Sequence, residues 1–245
     1  MDCTPSSPDV WKGNSVSRTI TRRGVLAAGA ATAVAAWITH AGPAAAAPGA
    51  VSNGKSAEWT RDRSVNGWPI TPDAVSTHLV EGSRASVDLR DGPVATVLLH
   101  IARRWHYEIA PLDTGQGGGI SGHTTSRTVA AEFESTYLSG TALCLHPTAY
   151  PLGGSEGLWP HHERIVRDIL LDCEGTVVWG GDLDPVKRSH FHIAPGPDSD
   201  TLAGVAERLS PLPGVGRTRG AGAVRDPAHP SRRVKARRLE RAQNS

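Results

Sequence analysis

The sequence predicts an α+β fold, a single domain in which a small antiparallel sheet is flanked by helices. Three stretches repeat apolar residues at the three-to-four spacing of an amphipathic helix: residues 94–105, 160–172 and 200–209. Short β-prone runs lie between them, bounded by Gly, Pro or Asp turns. The chain shows no internal repeat, and helices mixed with several short strands are typical of the α+β class.

The ends of the helices carry recognisable signals. Pro160 falls in the first turn of the second helix, and Gly175 lies just past its end. Ser199 or Asp200 caps the third helix. Residues 112–129 are rich in Gly, Ser and Thr, which predicts a long loop over a pocket formed by the strands. The predicted strands are residues 85–89, 106–109, 141–145, 175–179 and 190–193.

The N-terminus has the pattern of an export signal. Arg22 and Arg23 precede an uncharged run of 14 residues, 25–38, which is followed by an Ala-x-Ala site with cleavage expected near Ala46. The paired arginines indicate the twin-arginine route, so residues 1–46 are predicted to direct secretion or cell-wall association. The alternative is an uncleaved anchor, but 14 residues are too few to span a bilayer comfortably, so we expect no permanent membrane span after cleavage. Residues 47–65 are predicted to be a mobile lead-in.

The charges are unevenly distributed. Residues 47–210 carry 13 basic and 20 acidic side chains, a net charge of −7, whereas residues 211–245 carry a net charge of +7. Composition predicts that residues 211–245 form a disordered basic tail, with a short helix over 231–243 as the alternative. Such a tail suits adhesion to an anionic wall polymer or a membrane surface, and we expect no nucleic-acid partner. Cys144 and Cys173 remain after export, either as a disulfide or as buried free thiols.

Several motifs suggest a family. The specific ones are residues 139–142 (Ser-Gly-Thr-Ala), 151–153 (Pro-Leu-Gly) and 179–182 (Trp-Gly-Gly-Asp), followed eight residues on by His190 and Phe191. With residues 66–69 and 106–109, they resemble exported zinc D-Ala-D-Ala carboxypeptidases, which share their fold with the hedgehog signalling domain. The resemblance covers roughly residues 66–210 and implies a domain of that fold. It also implies a Zn²⁺ with three protein ligands and a carboxylate as general base.

The family pattern is His, six residues, Asp and, far downstream, an acidic residue, two residues, His. In this chain the corresponding positions are Tyr137, Cys144, Lys187 and His190, so only His190 is of the family's type. Tyr137 is a poor metal ligand at neutral pH because the reference pKa of a phenol is about 10. Lys187 stands at the general-base position, yet an ammonium accepts no proton and repels a dication. These departures predict that zinc is absent and that the inherited catalytic site does not function.

A displaced metal site is the alternative. Residues two apart on a strand face the same way. Cys144 and His146 therefore share one face of their strand, and His190 and His192 share one face of theirs. If the two strands are neighbours, these four side chains suit a closed structural zinc site. The competing interpretation is a set of partly buried polar side chains in a vestigial groove.

Two functions follow from the sequence. The first is an exported, catalytically impaired protein of the cell envelope that binds a peptidoglycan stem peptide or a protein partner. Ser121, His123 and Arg127 in the long loop are candidate contacts to a terminal carboxylate, although an ordinary surface loop is the simpler interpretation. The second is an active metallopeptidase or amidase on stem peptides, with a site rebuilt around Cys144.

Overall fold

The computed structural model describes residues 56–210 and 226–245, and their mixture of short strands and helices confirms the α+β class. The predicted export signal at residues 1–46 lies outside the described residues. Within the described ranges, no helix is both long enough and apolar enough to cross a membrane. The elements are β1 (Ala57–Glu58), β2 (Val75–Leu79), β3 (Ser86–Arg90), α1 (Pro93–Glu108), β4 (Ile120–Ser121), β5 (Thr128–Val129), α2 (Ser135–Leu138), β6 (Ala142–Leu145), α3 (Pro160–Asp172), β7 (Val177–Trp179), β8 (His190–Ile193), α4 (Asp200–Leu209) and α5 (Pro230–Gln243).

The main sheet has four antiparallel strands in the order β4-β6-β8-β7. Its register places Ser121 opposite Cys144 and Cys144 opposite His190, so these three residues form one row across the sheet. His192 lies opposite Ala142 in the next row on the same face, because successive side chains of a strand alternate between faces. Two further antiparallel pairs, β1 with β5 and β2 with β3, complete the strands.

The opposite face of the sheet forms the core. Leu143, Leu145 and Phe191 point into an apolar cluster that α1, α3 and α4 cover. Trp105 of α1 is fully buried there, and its ring lies edge-on to Phe191 with 6.0 Å between the ring centroids. The sheet therefore has an apolar face toward the helices and a polar face that carries the candidate site.

The three predicted helices are confirmed with small changes at their ends. α1 extends over Pro93–Glu108, and Ser199 caps α4 by accepting a hydrogen bond from the Leu202 N–H (3.3 Å). The strand predicted at residues 106–109 is wrong, because those residues complete and cap α1. Trp105 is fully buried in the core, which favours helix through this part of the chain. The Ile109 N–H then donates to the Trp105 carbonyl at 2.9 Å. The loop predicted at residues 112–129 contains the two short strands β4 and β5.

The mobile lead-in predicted at residues 47–65 is wrong for the part that the structure describes. Ala57 pairs with Val129 through β1 and β5, and Trp59 is buried against Val129 and Leu138. The Trp59 N–H donates to the Arg127 carbonyl at 2.7 Å. A buried tryptophan thus fixes a segment whose composition is otherwise that of a flexible linker.

From Pro230 onward the chain forms α5 and packs on α3, which matches the helix given as the alternative for residues 231–243 and not the disordered tail predicted at 211–245. The guanidinium of Arg232 contacts Asp168 and, at 2.9 Å, Asp172. Near the other end of α5, Glu240 lies 3.0 Å from Arg167 of α3. The last residue of α5 also contributes, because the Gln243 side chain donates to the Val177 carbonyl of β7 at 2.9 Å. The partners that hold this helix lie far away in sequence, so the local composition did not reveal them.

Asp168, which Arg232 of α5 contacts, also forms a buried pair of opposite charges with a residue of α1. Arg104 of α1 donates to Asp168 at 3.0 Å, and the two residues are 7% and 2% exposed. Burial alone disfavours the charge on Arg104, but Glu108, Asp168 and Asp172 outweigh it and raise the pKa of the guanidinium. Asp168 therefore lies between two arginines, one on α1 and one on α5.

We expect Asp168→Asn to lower the free energy of unfolding by about 3 kcal/mol, because it leaves two partly buried guanidinium groups without their shared carboxylate. Urea unfolding measures the loss, and proteolysis of α5 reports its release from α3. Glu174→Gln is the matched control, since the Glu174–Arg208 pair has both side chains 53% exposed and is expected to contribute less than about 1 kcal/mol. Equal losses in the two variants would contradict the assigned role of Asp168.

Candidate functional site

The four positions that the family resemblance singles out converge on the polar face of the sheet. Tyr137 on α2 packs against Cys144 on β6, and a hydrogen bond of 2.7 Å joins its Oη to His190 Nδ1 on β8. The Lys187 Nζ lies 5.1 Å from the centre of the Tyr137 ring. With His192, these residues make up what we call the Tyr137 cluster.

Both ring nitrogens of His190 are engaged. Nδ1 bonds to Tyr137, and Nε2 lies 2.9 Å from Nδ1 of His192. A neutral imidazole has one N–H donor and one acceptor nitrogen. The two hydrogen bonds that link Tyr137, His190 and His192 therefore both run in one direction or both in the other. In either direction the lone pair of His190 accepts a hydrogen bond, from Tyr137 or from His192.

The Tyr137 cluster is closed to solvent. His190 has no exposed surface, and Tyr137 and His192 are each 8% exposed. The Phe133 ring lies over His190 with 4.8 Å between the ring centroids. This cover distinguishes the site from an open catalytic cleft, because a substrate has no direct path to His190 in this arrangement.

Burial keeps these groups neutral. It lowers the pKa of His192 to about 4, and together with the neighbouring His192 and Lys187 it lowers the pKa of His190 well below the ordinary value. Burial, with the nearby Cys144 and Glu134, raises the pKa of Tyr137 well above that of a free phenol. The cluster therefore contains two neutral imidazoles and a neutral phenol at physiological pH.

This arrangement does not fit the zinc ion that the family resemblance implies. A metal needs a free lone pair on each ligand, and the lone pair of His190 is already used within the hydrogen-bonded chain. Tyr137 holds its proton and Lys187 carries a positive charge, so neither is a suitable ligand. Over residues 56–210 and 226–245, no three His, Cys, Asp or Glu side chains are grouped as metal ligands would be.

Glu134 is the site residue that the sequence analysis missed. Its Oε1 lies 2.7 Å from the Nζ of Lys187, with side chains only 16% and 14% exposed, and its Oε2 accepts from the Ala130 N–H at 2.8 Å. A lysine predicted to lie in a pocket requires a counter-charge, and that requirement was the available signal. Lys187, which the resemblance sets at the general-base position, is therefore paired with a carboxylate from the segment before α2.

His146 does not join the displaced site predicted from strand alternation. Its backbone adopts a positive φ of 52° directly after β6, which ends the alternation and turns its side chain toward the core side. Its Nδ1 lies 2.8 Å from the Gln116 carbonyl, and its ring lies 6.1 Å from Trp105, which belongs to the core. Of the four predicted ligands, Cys144, His190 and His192 share a face and His146 is separated from them.

The predicted substrate contacts are also divided. Ser121 is exposed and lies beside Cys144 at the β4 edge of the sheet. The Arg127 Nη1 donates to the carbonyls of Trp59 (3.0 Å) and Arg61 (3.1 Å), so this guanidinium holds the N-terminal segment in place. The backbone N–H of His123 donates to the Asp88 carbonyl of β3, which ties that loop to the hairpin. Ser121 borders the Tyr137 cluster through its row with Cys144, and next to His123 the Thr124 N–H donates to the Tyr137 carbonyl at 3.3 Å.

Cys144 and Cys173 are both free thiols, so of the two alternatives, a disulfide or buried thiols, the structure has the second. Cys173 lies in the apolar core, where burial raises the pKa of its thiol well above the ordinary value. Cys144 lies on the polar face of the sheet, in contact with Tyr137.

Searches with this chain found no matching family model, no matching curated protein and no matching solved structure.

We expect the free energy of unfolding to fall by at least about 2 kcal/mol between about pH 7 and pH 5, the share of His192 alone. His192 has a lower pKa in the folded state (about 4) than in the unfolded chain (about 6.5), so the unfolded state binds more protons over this range. His190 acts in the same direction. The stability is fully present above about pH 6.5 and is lost as the pH falls toward 4. Urea unfolding at each pH measures it.

The comparison variant is His192→Gln, which removes one of the two titrating groups. Its decline between pH 7 and pH 5 is expected to be shallower than that of the unchanged chain. An identical decline in both proteins would show that the histidines of the Tyr137 cluster are not its source.

Proposed function

We propose that this protein is an exported, D-Ala-D-Ala carboxypeptidase-like protein of the cell envelope that acts by binding and does not catalyse hydrolysis. The observation that carries the proposal is the closed chain of Tyr137, His190 and His192, in which both nitrogens of His190 are engaged and the ring is fully buried. Metal-assisted hydrolysis needs an open coordination position and a proton acceptor, and this arrangement supplies neither.

The spatial arrangement also supports the family resemblance on which the proposal rests. Tyr137 and His190 are 53 residues apart in sequence, yet they meet at hydrogen-bonding distance. The hydrogen-bonded pairing of β6 with β8 sets Cys144 directly opposite His190. An inherited scaffold explains why four positions that share a spacing pattern meet at one point although only one keeps the ancestral residue type.

The ion pair of Lys187 and Glu134 is a second argument against catalysis. Lys187 stands at the general-base position, and the Glu134 carboxylate beside it accepts hydrogen bonds from this ammonium and from the Ala130 N–H. Protonation of Glu134, which a general base requires, would break this partly buried ion pair. The remaining role is recognition, of a stem peptide at the exposed Ser121 edge or of a protein partner.

The full mature chain is expected to release no D-Ala from a peptide ending in D-Ala-D-Ala, with or without added zinc. The same peptide is expected to bind without turnover, as measured by calorimetry, and Ser121→Trp is expected to weaken that binding by blocking the β4 edge. Turnover that a chelator abolishes would refute the non-catalytic proposal. Absence of any binding would leave the protein partner as the remaining form of the proposal, tested by cross-linking on intact cells.

An active peptidase with a rebuilt site is the second candidate, because Cys144, His190 and His192 lie on one face of adjacent strands. It requires the hydrogen bond between the two histidines to break and a metal to replace it. We expect protein purified without a histidine tag to contain far less than one zinc per chain, as measured by plasma mass spectrometry. Stoichiometric zinc that Cys144→Ser removes, while the far-ultraviolet spectrum is unchanged, would favour this candidate instead.

A further inference from the structure

A cleft lies away from the Tyr137 cluster, between α3 and α5. It has a volume of ≈ 240 Å³ and is lined mainly by charged side chains of the two helices. Five of the lining residues are arginines and three are acidic. The arginines are Arg164, Arg167, Arg232, Arg233 and Arg237, and the acidic residues are Glu163, Asp168 and Glu240.

The acidic side chains of this cleft are already paired. Asp168 contacts Arg104 and Arg232. Glu163 and Glu240 both contact Arg167, at 3.6 and 3.0 Å. Asp182 makes the shortest contact to Arg167 (2.5 Å), and Asp172 lies 2.9 Å from Arg232. The nearby carboxylates therefore dock α5 and neutralise Arg167 and Arg232.

Three arginines are left over. Arg164 of α3 and Arg233 and Arg237 of α5 are exposed, and none has a carboxylate within 4.0 Å among the described residues. They come from two different helices and line the same cleft. Docking of α5 therefore gathers three arginines without a carboxylate partner on one surface, where they repel one another unless an anion lies between them.

We propose that this cleft binds a phosphodiester polymer of the cell envelope, such as a polyol phosphate chain. The planar guanidinium group matches the oxygens of a phosphate with two parallel hydrogen bonds, which makes arginine suited to this ligand. Arginines from two helices along one cleft match a chain with several phosphates better than a single ion. The inference rests on the envelope location of the proposed function and goes beyond it, because it assigns a ligand to a surface separate from the Tyr137 cluster.

The docked helix explains how the site is assembled. A basic segment free in solution offers its charges in no fixed arrangement, whereas the contacts of Arg232, Glu240 and Gln243 hold α5 against the body. The cleft is thus pre-organised, which lowers the entropic cost of binding a flexible polymer.

The test uses the full mature chain and synthetic poly(glycerol phosphate), with binding measured by calorimetry at several salt concentrations. We expect the logarithm of the association constant to fall with the logarithm of salt concentration with a slope of about −2, as for three phosphate contacts. The double variant Arg233→Ala/Arg237→Ala is expected to weaken binding about tenfold or more and to flatten this slope, since each phosphate contact contributes about one unit or slightly less.

The matched control is Lys235→Ala/Arg238→Ala. It removes the same charge from the same helix, but neither residue lines the cleft. This control is expected to bind within about twofold of the unchanged chain. Equal weakening in both double variants would overturn the proposal in favour of non-specific attraction to a basic helix.

Two comparison ligands complete the experiment. Poly-L-glutamate tests whether any polyanion suffices, and a single-stranded DNA oligonucleotide tests nucleic acid as the phosphodiester. Preference for poly(glycerol phosphate) over both supports the proposal, while stronger binding of either one overturns it. The result is independent of the hydrolysis assay, because a chain that binds the polymer can either hydrolyse D-Ala-D-Ala peptides or leave them intact.

Discussion

The requirement that a buried imidazole have partners for both of its nitrogens shapes the polar face of this sheet. His190 is fully buried, and each unsatisfied polar atom at such a position costs about 1–3 kcal/mol. Tyr137 on one side and His192 on the other meet that requirement. The packing of α2 against β6 brings the phenol of Tyr137 to Nδ1 of His190. The same bonds that satisfy His190 remove the lone pair that a metal would need.

Much of the architecture could be predicted from the sequence, because apolar spacing and end signals are local properties. α3 begins and ends where Pro160 and the apolar spacing predicted, and β8 matches its predicted range. The errors have a common physical cause, which is that distant contacts override local composition. Trp59 orders a polar segment by entering a small apolar cluster, and Arg232 orders a basic segment by reaching Asp168 on another helix.

The candidate site was predictable only in part. The structure brings together Tyr137, Cys144, Lys187 and His190, the four positions that the motif spacing singled out. The position of His146 was not predictable, because its positive φ breaks the alternation on which the prediction relied. The partner of Lys187 could be anticipated as a carboxylate but not as Glu134, because the pairing depends on how the segment before α2 crosses the sheet.

The contact between Gln243 and the Val177 carbonyl has a consequence for how the molecule avoids self-association. β7 is an outer strand of the main sheet, and an outer strand offers unpaired backbone groups to any passing chain. The amide of Gln243 occupies one of those groups. Loss of the last turn of α5 would therefore expose the Val177 carbonyl at this edge, as an acceptor for the backbone N–H of an added strand.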